Sequence, residues 1–455
     1  MQIRDSLRVL VENGTLKPGT RIPSSRQLAL DIGVSRSVVV EAYGQLAAEG
    51  YLTSRHGSGT TVTDHAGIGT AASSLALPAE EPAHDARWDL RTGTASTVDF
   101  PRKEWLRCMT SVITEAGRKE LGYAPPAGVP LTRHVLTGYL GRVRGVRNRP
   151  EDLMITAGFA QGLALVCKVL LDRGHTTLAV EDPGHPGERE FISSSGLRPV
   201  GVPVDGHGID MDRLEASGTR AALVTPANQF PTGVRLSRER RERLIGWARE
   251  VDGYILEDDF DSAFLDPADR LPALQSLAPE RVVYAGSASK ILAPALRLGW
   301  LVGPPELMAS IEHVRAGWDI GCSGLEQLAL ARLIDTGAFD RHQRRLRSEF
   351  RRRRQTVRTQ LDIHLPDAWL LGGTSGLQAY VRLPPHIDEH SLVRAARHRS
   401  VLLRGGHHYS VSGTAHPPAL VISYATANCA ALSLSLAQVG EAYREQPDQH
   451  GTGRR

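Results

Sequence analysis

The sequence predicts an α/β protein with a small helical domain at its N-terminus. Two observations favour this fold. In residues 87–445, four apolar runs of strand length each end in polar or glycine-rich residues, and such strand ends line a crevice in open α/β sheets. In residues 1–64, three short helical segments precede an alternating stretch around a glycine-rich tip. At 455 residues the chain is long enough for two or three domains.

The N-terminal segment predicts a winged helix-turn-helix. Its first helix runs from Ile3 to Glu12 and carries an apolar face made of Ile3, Leu7, Leu10 and Val11. Pro23, Ser24 and Ser25 precede a second helix that ends near Ile32, and Gly33 makes the turn. Ser35 caps a third helix, whose predicted inward residues are Val38, Val39, Ala42, Tyr43 and Leu46. Residues 50–62 then alternate as a hairpin wing.

Arginines stand where such a domain would meet DNA. Arg36 and Ser37 begin the third helix, at the end that enters the major groove in helix-turn-helix proteins. Arg55 precedes the tip of the wing. The net charge of the whole chain is only +4, so bulk electrostatics does not indicate DNA binding. The prediction therefore depends on the placement of these residues.

Lys290 indicates a pyridoxal phosphate (PLP) site in the larger part of the chain. It ends the segment from Gly286 to Lys290, just after an apolar run, and Arg297 follows seven positions later. An amine at a strand end can form a Schiff base with an aldehyde, and neighbouring hydroxyls and a guanidinium can hold a phosphate. A single lysine is usually a solvated surface charge, so the prediction depends on its neighbours.

Three further strand ends supply those neighbours. Asp258 follows an apolar strand and offers a carboxylate to a pyridine nitrogen, whereas Asp259 and Asp261 are equally well interpreted as a solvated turn. The segment from Thr225 to Gly233 makes a turn at the end of another strand. Residues 155–161 run from a strand through glycine into a helix, which offers backbone N–H groups to an anion.

These motifs resemble two known families. Residues 87–445 resemble the fold-type I aminotransferases in Leu121-Gly122-Tyr123, Pro126-Ala127-Gly128, Glu181-Asp182-Pro183-Gly184, Pro231-Thr232-Gly233, Asp258, Lys290 and Arg297. Residues 1–64 are similar to the DNA-binding signature of the GntR family, in Gly19 to Ala29 followed by Gly33-Val34-Ser35-Arg36. The combination resembles the MocR subfamily of bacterial transcription regulators.

The resemblance implies a fold-type I body, with a large α/β domain of mostly parallel sheet and a smaller C-terminal α/β domain. It further implies a PLP-binding regulator that binds operator DNA as a head-to-tail homodimer. The implied cofactor residues are Lys290 as the Schiff-base lysine, Asp258, Arg297, Ser287, Ser289, Gly158, Phe159, Ala160, His185, Asn228 and Tyr123. Of these, Tyr123 resembles the family tyrosine that reaches the phosphate in the neighbouring subunit. The implied DNA contacts are Arg26, Ser35, Arg36, Ser37, Arg55, His56 and Gly57.

Departures from the family pattern indicate a site poorly equipped for turnover. Phe260 stands where many relatives have a tyrosine that could reach the cofactor's ring oxygen. Val421 stands where amino-acid-converting relatives carry an arginine for the substrate carboxylate, and Arg404 is a candidate substitute. The segment Ala157-Gly158-Phe159-Ala160 lacks two polar side chains, so a phosphate would depend more on backbone groups.

Three hypotheses follow. The first is a transcription regulator that senses PLP, or an amine or amino acid reacting with bound PLP, through the Lys290 aldimine. The second is a PLP-dependent aminotransferase with an accessory DNA-binding domain. The third is a regulator whose body no longer binds PLP and serves as a scaffold. The intact set of Lys290, Asp258 and Arg297 weighs against the third, and Val421 against the second.

The remaining sequence is less specific. Residues 65–86 are rich in Ala, Ser, Gly and Pro and are expected to form a flexible linker, and residues 446–455 a disordered tail. The four cysteines show no metal-ligand spacing and suggest reduced thiols in a cytoplasm. Neither a signal peptide nor a membrane span is expected. The arginines of residues 341–358 are interpreted either as a DNA-binding patch or as the solvated face of a helix.

Overall fold

The computed structural model describes residues 2–55, 59–63, 86–93, 97–373, 376–413 and 416–446, and divides the chain into two compact units, 1–83 and 84–455. The predicted linker and C-terminal tail lie almost entirely outside the described residues, as do His56 and Gly57. In the described residues, no helix combines the length and the apolar character that crossing a membrane requires. The four cysteines are free thiols.

The N-terminal unit has the predicted helices and wing. Its elements are α1 (Gln2–Glu12), β1 (Arg21–Ile22), α2 (Ser25–Asp31), α3 (Arg36–Ala48), β2 (Leu52–Arg55) and β3 (Gly59–Val62). The β2 and β3 strands form the antiparallel wing, with Leu52 opposite Val62, and β1 pairs with the other side of β3. Ser24 caps α2 by accepting a hydrogen bond from the backbone N–H of Gln27.

Two predicted core residues of this unit are exposed instead. Ile3, Leu7 and Val11 of α1 pack against the buried side chains of α3, but Leu10 lies at the surface. In α3, Val39, Ala42, Tyr43 and Leu46 are buried as expected, whereas Val38 is 43% exposed. The two helices meet over one narrow stripe, so residues at the edge of each apolar face stay in solvent.

The second unit begins with a short strand and two helices and then forms a large mixed sheet. The first elements are β4 (Trp88–Asp89), α4 (Arg102–Glu115) and α5 (Pro130–Arg144). The sheet and its intervening helices follow as β5 (Leu153–Thr156), α6 (Phe159–Asp172), β6 (Thr177–Asp182), α7 (Pro186–Ser194), β7 (Arg198–Asp205), β8 (Gly208–Ile209), α8 (Met211–Ala216), β9 (Ala221–Val224), α9 (Arg238–Glu250), β10 (Tyr254–Asp258), β11 (Val282–Ser287) and β12 (Gly299–Val302).

Within the described residues, the large sheet has eight strands in the order β5-β12-β11-β10-β9-β6-β7-β8. The central strands are parallel, and β12 runs antiparallel to both of its neighbours, so β5 points the same way as β11. The carboxyl ends of β5, β6, β9, β10 and β11 therefore lie at one edge. This mostly parallel sheet confirms the predicted fold class and brings the four strand ends together.

Helices cover both faces of this sheet. Leu256 packs with Leu163 of α6, whereas its neighbour Ile255 packs with Leu244 of α9 in a separate cluster. Successive side chains of a strand point to opposite faces, so each central strand needs apolar residues at every position. This requirement accounts for the continuous apolar runs by which the strands are recognised in the sequence.

The chain ends in a smaller α/β part. It contains α10 (Pro305–Trp318), α11 (Gly324–Asp335), α12 (Ala338–His364), β13 (Trp369–Leu371), β14 (Gln378–Arg382), α13 (Glu389–His398), β15 (Val401–Leu402), β16 (Arg404–Gly405), β17 (Ala419–Ser423) and α14 (Cys429–Arg444). Its antiparallel sheet has the order β13-β14-β17-β16, while β15 pairs in parallel with β4. The start of the second unit is thereby tied to its end.

The arginine-rich run lies within α12 and serves largely to hold the body together. Arg353 is buried and donates hydrogen bonds to the carbonyl of Ala425 and to Glu349. Arg354 is also buried and donates to the carbonyls of Gly373 and Gln378. Both interpretations of the run are wrong for these two residues, because a helical stripe in the sequence does not reveal that carbonyl groups line the groove beneath it.

Candidate PLP site

A cavity of about 340 Å³ lies at the carboxyl edge of the large sheet. Its size falls in the range of small-molecule pockets. It is lined by residues from every predicted strand end, and among them are Phe159, Ala160, His185, Phe230, Asp258, Ser287, Ser289, Lys290 and Arg297. The sheet topology thus brings together the chemistry that the sequence places more than a hundred residues apart.

Lys290 presents its amine to this cavity. Its Nζ donates a hydrogen bond to the carbonyl of Gly93 at 2.8 Å. Burial lowers the pKa of Lys290 below that of an ordinary lysine, and the charge of Asp258 opposes that shift in part. A lowered pKa increases the fraction of neutral amine, which is the form that attacks an aldehyde.

Asp258 is distinguished from its acidic neighbours by what each one contacts. Asp259 is buried and accepts hydrogen bonds from Arg144 at 2.7 Å and from the Tyr284 hydroxyl at 2.5 Å. Asp261 is buried and accepts from the Asn228 amide. Asp258 faces the cavity, where a ring nitrogen could reach it. The interpretation of Asp259 and Asp261 as a solvated turn is wrong, because both support the floor of the site.

The groups expected at the phosphate converge at the N-terminus of α6. Gly158 adopts a φ of 86°, which favours glycine, and a Cβ there would stand 3.0 Å from the guanidinium of Arg297. Arg297 donates to the carbonyl of Ala157 at 2.5 Å. The first N–H groups of a helix have no partner within it, so those of Phe159 and Ala160 are available to an anion. The hydroxyls of Ser287 and Ser289 lie 2.9 Å apart beside them.

His185 and Phe260 form the aromatic part of the wall. The His185 ring packs on Phe230 with a centroid distance of 5.1 Å, and its Nδ1 accepts a hydrogen bond from the backbone N–H of Gly187. Burial and the charge of Lys290 lower the pKa of His185 to about 4. The ring is therefore neutral near pH 7. Phe260 also lines the cavity. As predicted from the sequence, this position therefore offers no phenol hydroxyl to a cofactor ring.

Three predicted cofactor residues do not line the cavity, namely Gly158, which is the N-cap of α6, Asn228 and Tyr123. Asn228 is buried and its amide donates to Asp261, while its Oδ1 has no partner among the described residues. Tyr123 is 86% exposed, so it reaches no site within this chain. A role for Tyr123 at a neighbouring subunit's phosphate remains a prediction.

The sequence did not predict four polar side chains in the wall, those of Thr92, Glu188, Gln378 and Ser423. Glu188 of α7 lines the cavity, and burial together with Glu181 raises its pKa. Burial and Glu188 in turn raise the pKa of Asp258. Gln378 of β14 lines the far side, and its buried Nε2 has no hydrogen-bond partner among the described residues. An unsatisfied buried donor costs free energy.

The carboxyl groups of Glu188 and Asp258 should make the stability of the fold depend on pH, and replacing Glu188 should reduce that dependence. Because the pKa values of Glu188 and Asp258 are raised, their protons stabilise the fold fully below about pH 4.5, and this stabilisation is lost as the pH rises through the raised values. Urea unfolding of cofactor-free protein should show stability falling between about pH 5 and pH 8, and Glu188→Gln should flatten the fall by roughly 1 kcal/mol. Glu181, Glu257 and Asp261, whose pKa values are also raised, will leave some slope.

The exposed Glu190 of α7 provides the matched control. A Glu190→Gln variant should keep the wild-type pH profile. Equal slopes in wild type and Glu188→Gln would show that Glu188 is not protonated in the fold.

The DNA-binding candidates lie on the surface of the N-terminal unit. Arg26, Ser35, Arg36 and Ser37 are exposed at the starts of α2 and α3. Ser35 occupies the N-cap of α3, but its hydroxyl pairs with that of Ser37 at 2.9 Å instead of capping the helix. Arg55 ends strand β2 of the wing. Arg4 and Arg8, by contrast, pair with Asp5 and Glu49.

Comparison with known proteins agrees with this geometry. The model of the bacterial regulatory proteins of the gntR family matches residues 1–62, and that of the class I and II aminotransferases matches residues 92–432. The HTH-type pyridoxine biosynthesis transcriptional regulator PdxR of Corynebacterium glutamicum is 32% identical, over 83% of this chain and 82% of its own length. The chain belongs to the MocR-type transcription regulators. The predicted family is thereby confirmed.

This MocR-type chain is also similar to another regulator and to solved structures of aminotransferases. The probable rhizopine catabolism regulatory protein MocR of Rhizobium meliloti is 32% identical over 88% of this chain and 85% of its own. Among solved structures, the α-aminoadipate aminotransferase LysN of Thermus thermophilus is 27% identical with a TM-score of 0.70, covering 78% of this chain and 92% of that one. That structure is described as a complex with N-(5'-phosphopyridoxyl)-L-leucine. An archaeal alanine:glyoxylate aminotransferase has a TM-score of 0.72 at 23% identity, over 79% of this chain and 91% of its own, and shares the fold.

Proposed function

We propose that this chain is a PLP-dependent, sequence-specific DNA-binding transcription regulator whose body senses PLP, or an amine or amino acid that reacts with bound PLP. One observation carries the proposal. Lys290, Asp258 and Arg297 line a single cavity in a chain whose first 62 residues match the gntR family. The relative named for the regulation of pyridoxine biosynthesis supports a link between this architecture and the vitamin B6 cofactor.

The residues of the cavity have distinct roles in this proposal. PLP supplies an aldehyde that condenses with amines and a ring that withdraws electrons from them. Lys290 would hold the cofactor covalently, and Asp258 would bind the ring nitrogen. Arg297, Ser287, Ser289 and the N-terminus of α6 would hold the phosphate. An amine effector would replace the Lys290 amine at the cofactor aldehyde. The released amino group of Lys290 would then be free to form other contacts.

The structure of the small sheet favours sensing over turnover. Val421 is fully buried with Tyr380 and Tyr409, and it does not line the cavity. The arginine that would bind a substrate carboxylate is therefore missing at position 421. Without it, a substrate is poorly positioned for repeated turnover. Steady formation of a keto acid by the purified protein at enzymatic rates would support an aminotransferase instead.

DNA recognition is assigned to the start of α3. Because Arg4 and Arg8 are engaged by acidic partners, the exposed Arg26 and Arg36 are cations that remain for DNA. An Arg36→Ala variant should bind genomic fragments selected by the wild-type protein about tenfold more weakly, because a base or phosphate contact is lost. Fluorescence anisotropy over a range of salt concentrations checks this result. Arg198→Ala, on the exposed start of β7, should bind as wild type, and equal affinity of Arg36→Ala would contradict the assignment.

The body is proposed to form a homodimer. Leu106 and Ile113 lie two turns apart on α4 and are 67% and 54% exposed, and Leu121, Tyr123 and Leu131 are exposed nearby in sequence. Large apolar side chains grouped on a surface indicate a protein interface. A Leu106→Glu/Ile113→Glu double variant should sediment near the 49.4 kDa of one chain, whereas the wild type should sediment near twice that mass. A wild-type monomer at micromolar concentration would contradict the proposal.

A further inference from the structure

Helix α3 of the N-terminal unit buries one side and exposes the other. Its buried residues are Val39, Ala42, Tyr43 and Leu46. Val40 lies between them in sequence but is 49% exposed. Residues three and four positions apart are neighbours on a helix surface, so Val40 shares a side of α3 with the exposed Arg36, Ser37 and Gly44. An apolar side chain therefore lies beside two of the DNA-binding candidates.

The surface around Val40 is open to a partner. A single exposed apolar side chain is common in proteins, so its position decides what it indicates. A valine in a helix is less favourable than an unbranched residue, because its branched side chain loses rotamer freedom. Gly44, one turn further along α3, has no side chain, and a Cβ there would meet no atom within 4 Å. Nothing at position 44 therefore shields Val40.

The methyl groups of Val40 are directed to the end of α3 that would approach DNA. Side chains on a helix lean toward its N-terminus, so that of Val40 covers the turn with Arg36 and Ser37. The Tyr43 hydroxyl donates to the carbonyl of Pro23 at 2.9 Å, which holds the start of α2 against α3. Residues 1–62 match the gntR family, and in helix-turn-helix proteins this end of the second helix of the motif enters the major groove.

Valine can recognise one feature of the major groove. It has no hydrogen-bond donor or acceptor, so it cannot distinguish bases by their polar edges. Among the four bases, thymine presents a methyl group in the major groove, and apolar side chains contact it. Arg36 and Ser37, on the same side of α3, can supply the polar contacts to neighbouring bases or phosphates.

We propose that Val40 is a specificity-determining residue that contacts the C5-methyl group of a thymine in the operator. The sequence that this protein recognises accordingly contains a thymine whose methyl group is required for full affinity. This inference rests on the proposed function, because it requires that α3 enters the major groove of DNA. Removing one methyl group from water should raise the affinity about fourfold.

Replacing thymine with uracil removes this methyl group alone and tests the contact. A genomic fragment selected by the full-length wild type is shortened to its protected segment, and each thymidine in turn is replaced by 2′-deoxyuridine. One particular replacement should weaken binding of the wild type about fourfold. Val40→Ala should bind the unmodified DNA with that lower affinity and lose nothing further on the same replacement. Val40→Thr, which keeps one methyl group, should retain part of the discrimination.

An exposed valine elsewhere in the unit provides the matched control. Val9 of α1 is 55% exposed, and Val9→Ala should respond to every replacement as the wild type does. Thermal unfolding establishes that the variants are folded, and Val40→Thr decides the test if Val40→Ala does not fold.

The outcomes separate this inference from the function on which it rests. A wild type that is indifferent to every uracil would overturn the contact. A Val40→Ala protein that discriminates thymine from uracil as the wild type does would also overturn it, and would place Val40 against protein instead of DNA. Failure of the wild type to select any genomic fragment would overturn the proposed function itself.

Discussion

Replacing Lys290 with alanine will abolish covalent attachment of PLP to this protein. The Lys290 amine lines the same cavity as Asp258 and Arg297, and burial lowers its pKa toward the nucleophilic form. After incubation with PLP and borohydride reduction, the wild type should gain the mass of one reduced cofactor per chain. The Lys290→Ala variant should gain none. Intact-protein mass spectrometry measures both.

A surface lysine controls for nonspecific reaction. Lys103 is exposed at the start of α4, and Lys103→Ala should retain the full adduct. An adduct of equal amount in Lys290→Ala would place the reactive amine elsewhere and contradict the site.

Replacing Asp259 with alanine will destabilise the protein by about 3–5 kcal/mol, because it leaves the charge of Arg144 buried without its partner. Arg144 and Asp259 are both buried, with Nε and Oδ2 2.7 Å apart, and the hydroxyl of Tyr284 also donates to Asp259. Urea unfolding of the cofactor-free full chain measures the loss. A loss below about 1 kcal/mol would show that water or rearrangement satisfies the arginine.

The adjacent residue is the matched comparison. Asp258 makes no ion pair with a described residue and faces the cavity, so Asp258→Asn should not lower the free energy of unfolding. It should instead weaken PLP binding, because the ring nitrogen loses its carboxylate. The Asp259 variant should therefore lose stability, whereas the Asp258 variant should lose affinity for PLP.

The sequence allowed prediction of the site residues that directly follow buried strands. Residues just after a buried parallel strand lie at one edge whatever their distance in the chain, so Asp258, Lys290 and Gly158 could be grouped before any contact was known. The same holds for the winged domain, where turns and apolar spacing predict the helices and the hairpin.

The parts that could not be predicted depend on packing. Glu188 lies in the wall because α7 turns it toward Asp258, and nothing in the residues around it in sequence indicates that direction. The partners of Asp259 come from α5 and β11, and the partner of Asp261 comes from the turn after β9. Val38 and Leu10 fit helical stripes, yet they lie beyond the area that the neighbouring helices cover. The domain boundaries at residues 64, 86 and 445 stay predictions.

We propose that the Lys290 cavity controls DNA binding, and a titration of DNA by the protein can decide this. Genomic fragments selected by the purified wild-type protein are titrated with wild type and with Lys290→Ala, each without PLP, with PLP, and with PLP plus an amine or amino acid. We expect the affinity of the wild type for its selected fragment, relative to unrelated DNA, to change between these conditions, and that of Lys290→Ala to stay the same. An identical response of wild type and Lys290→Ala, or no response of the PLP-loaded wild type, would contradict it.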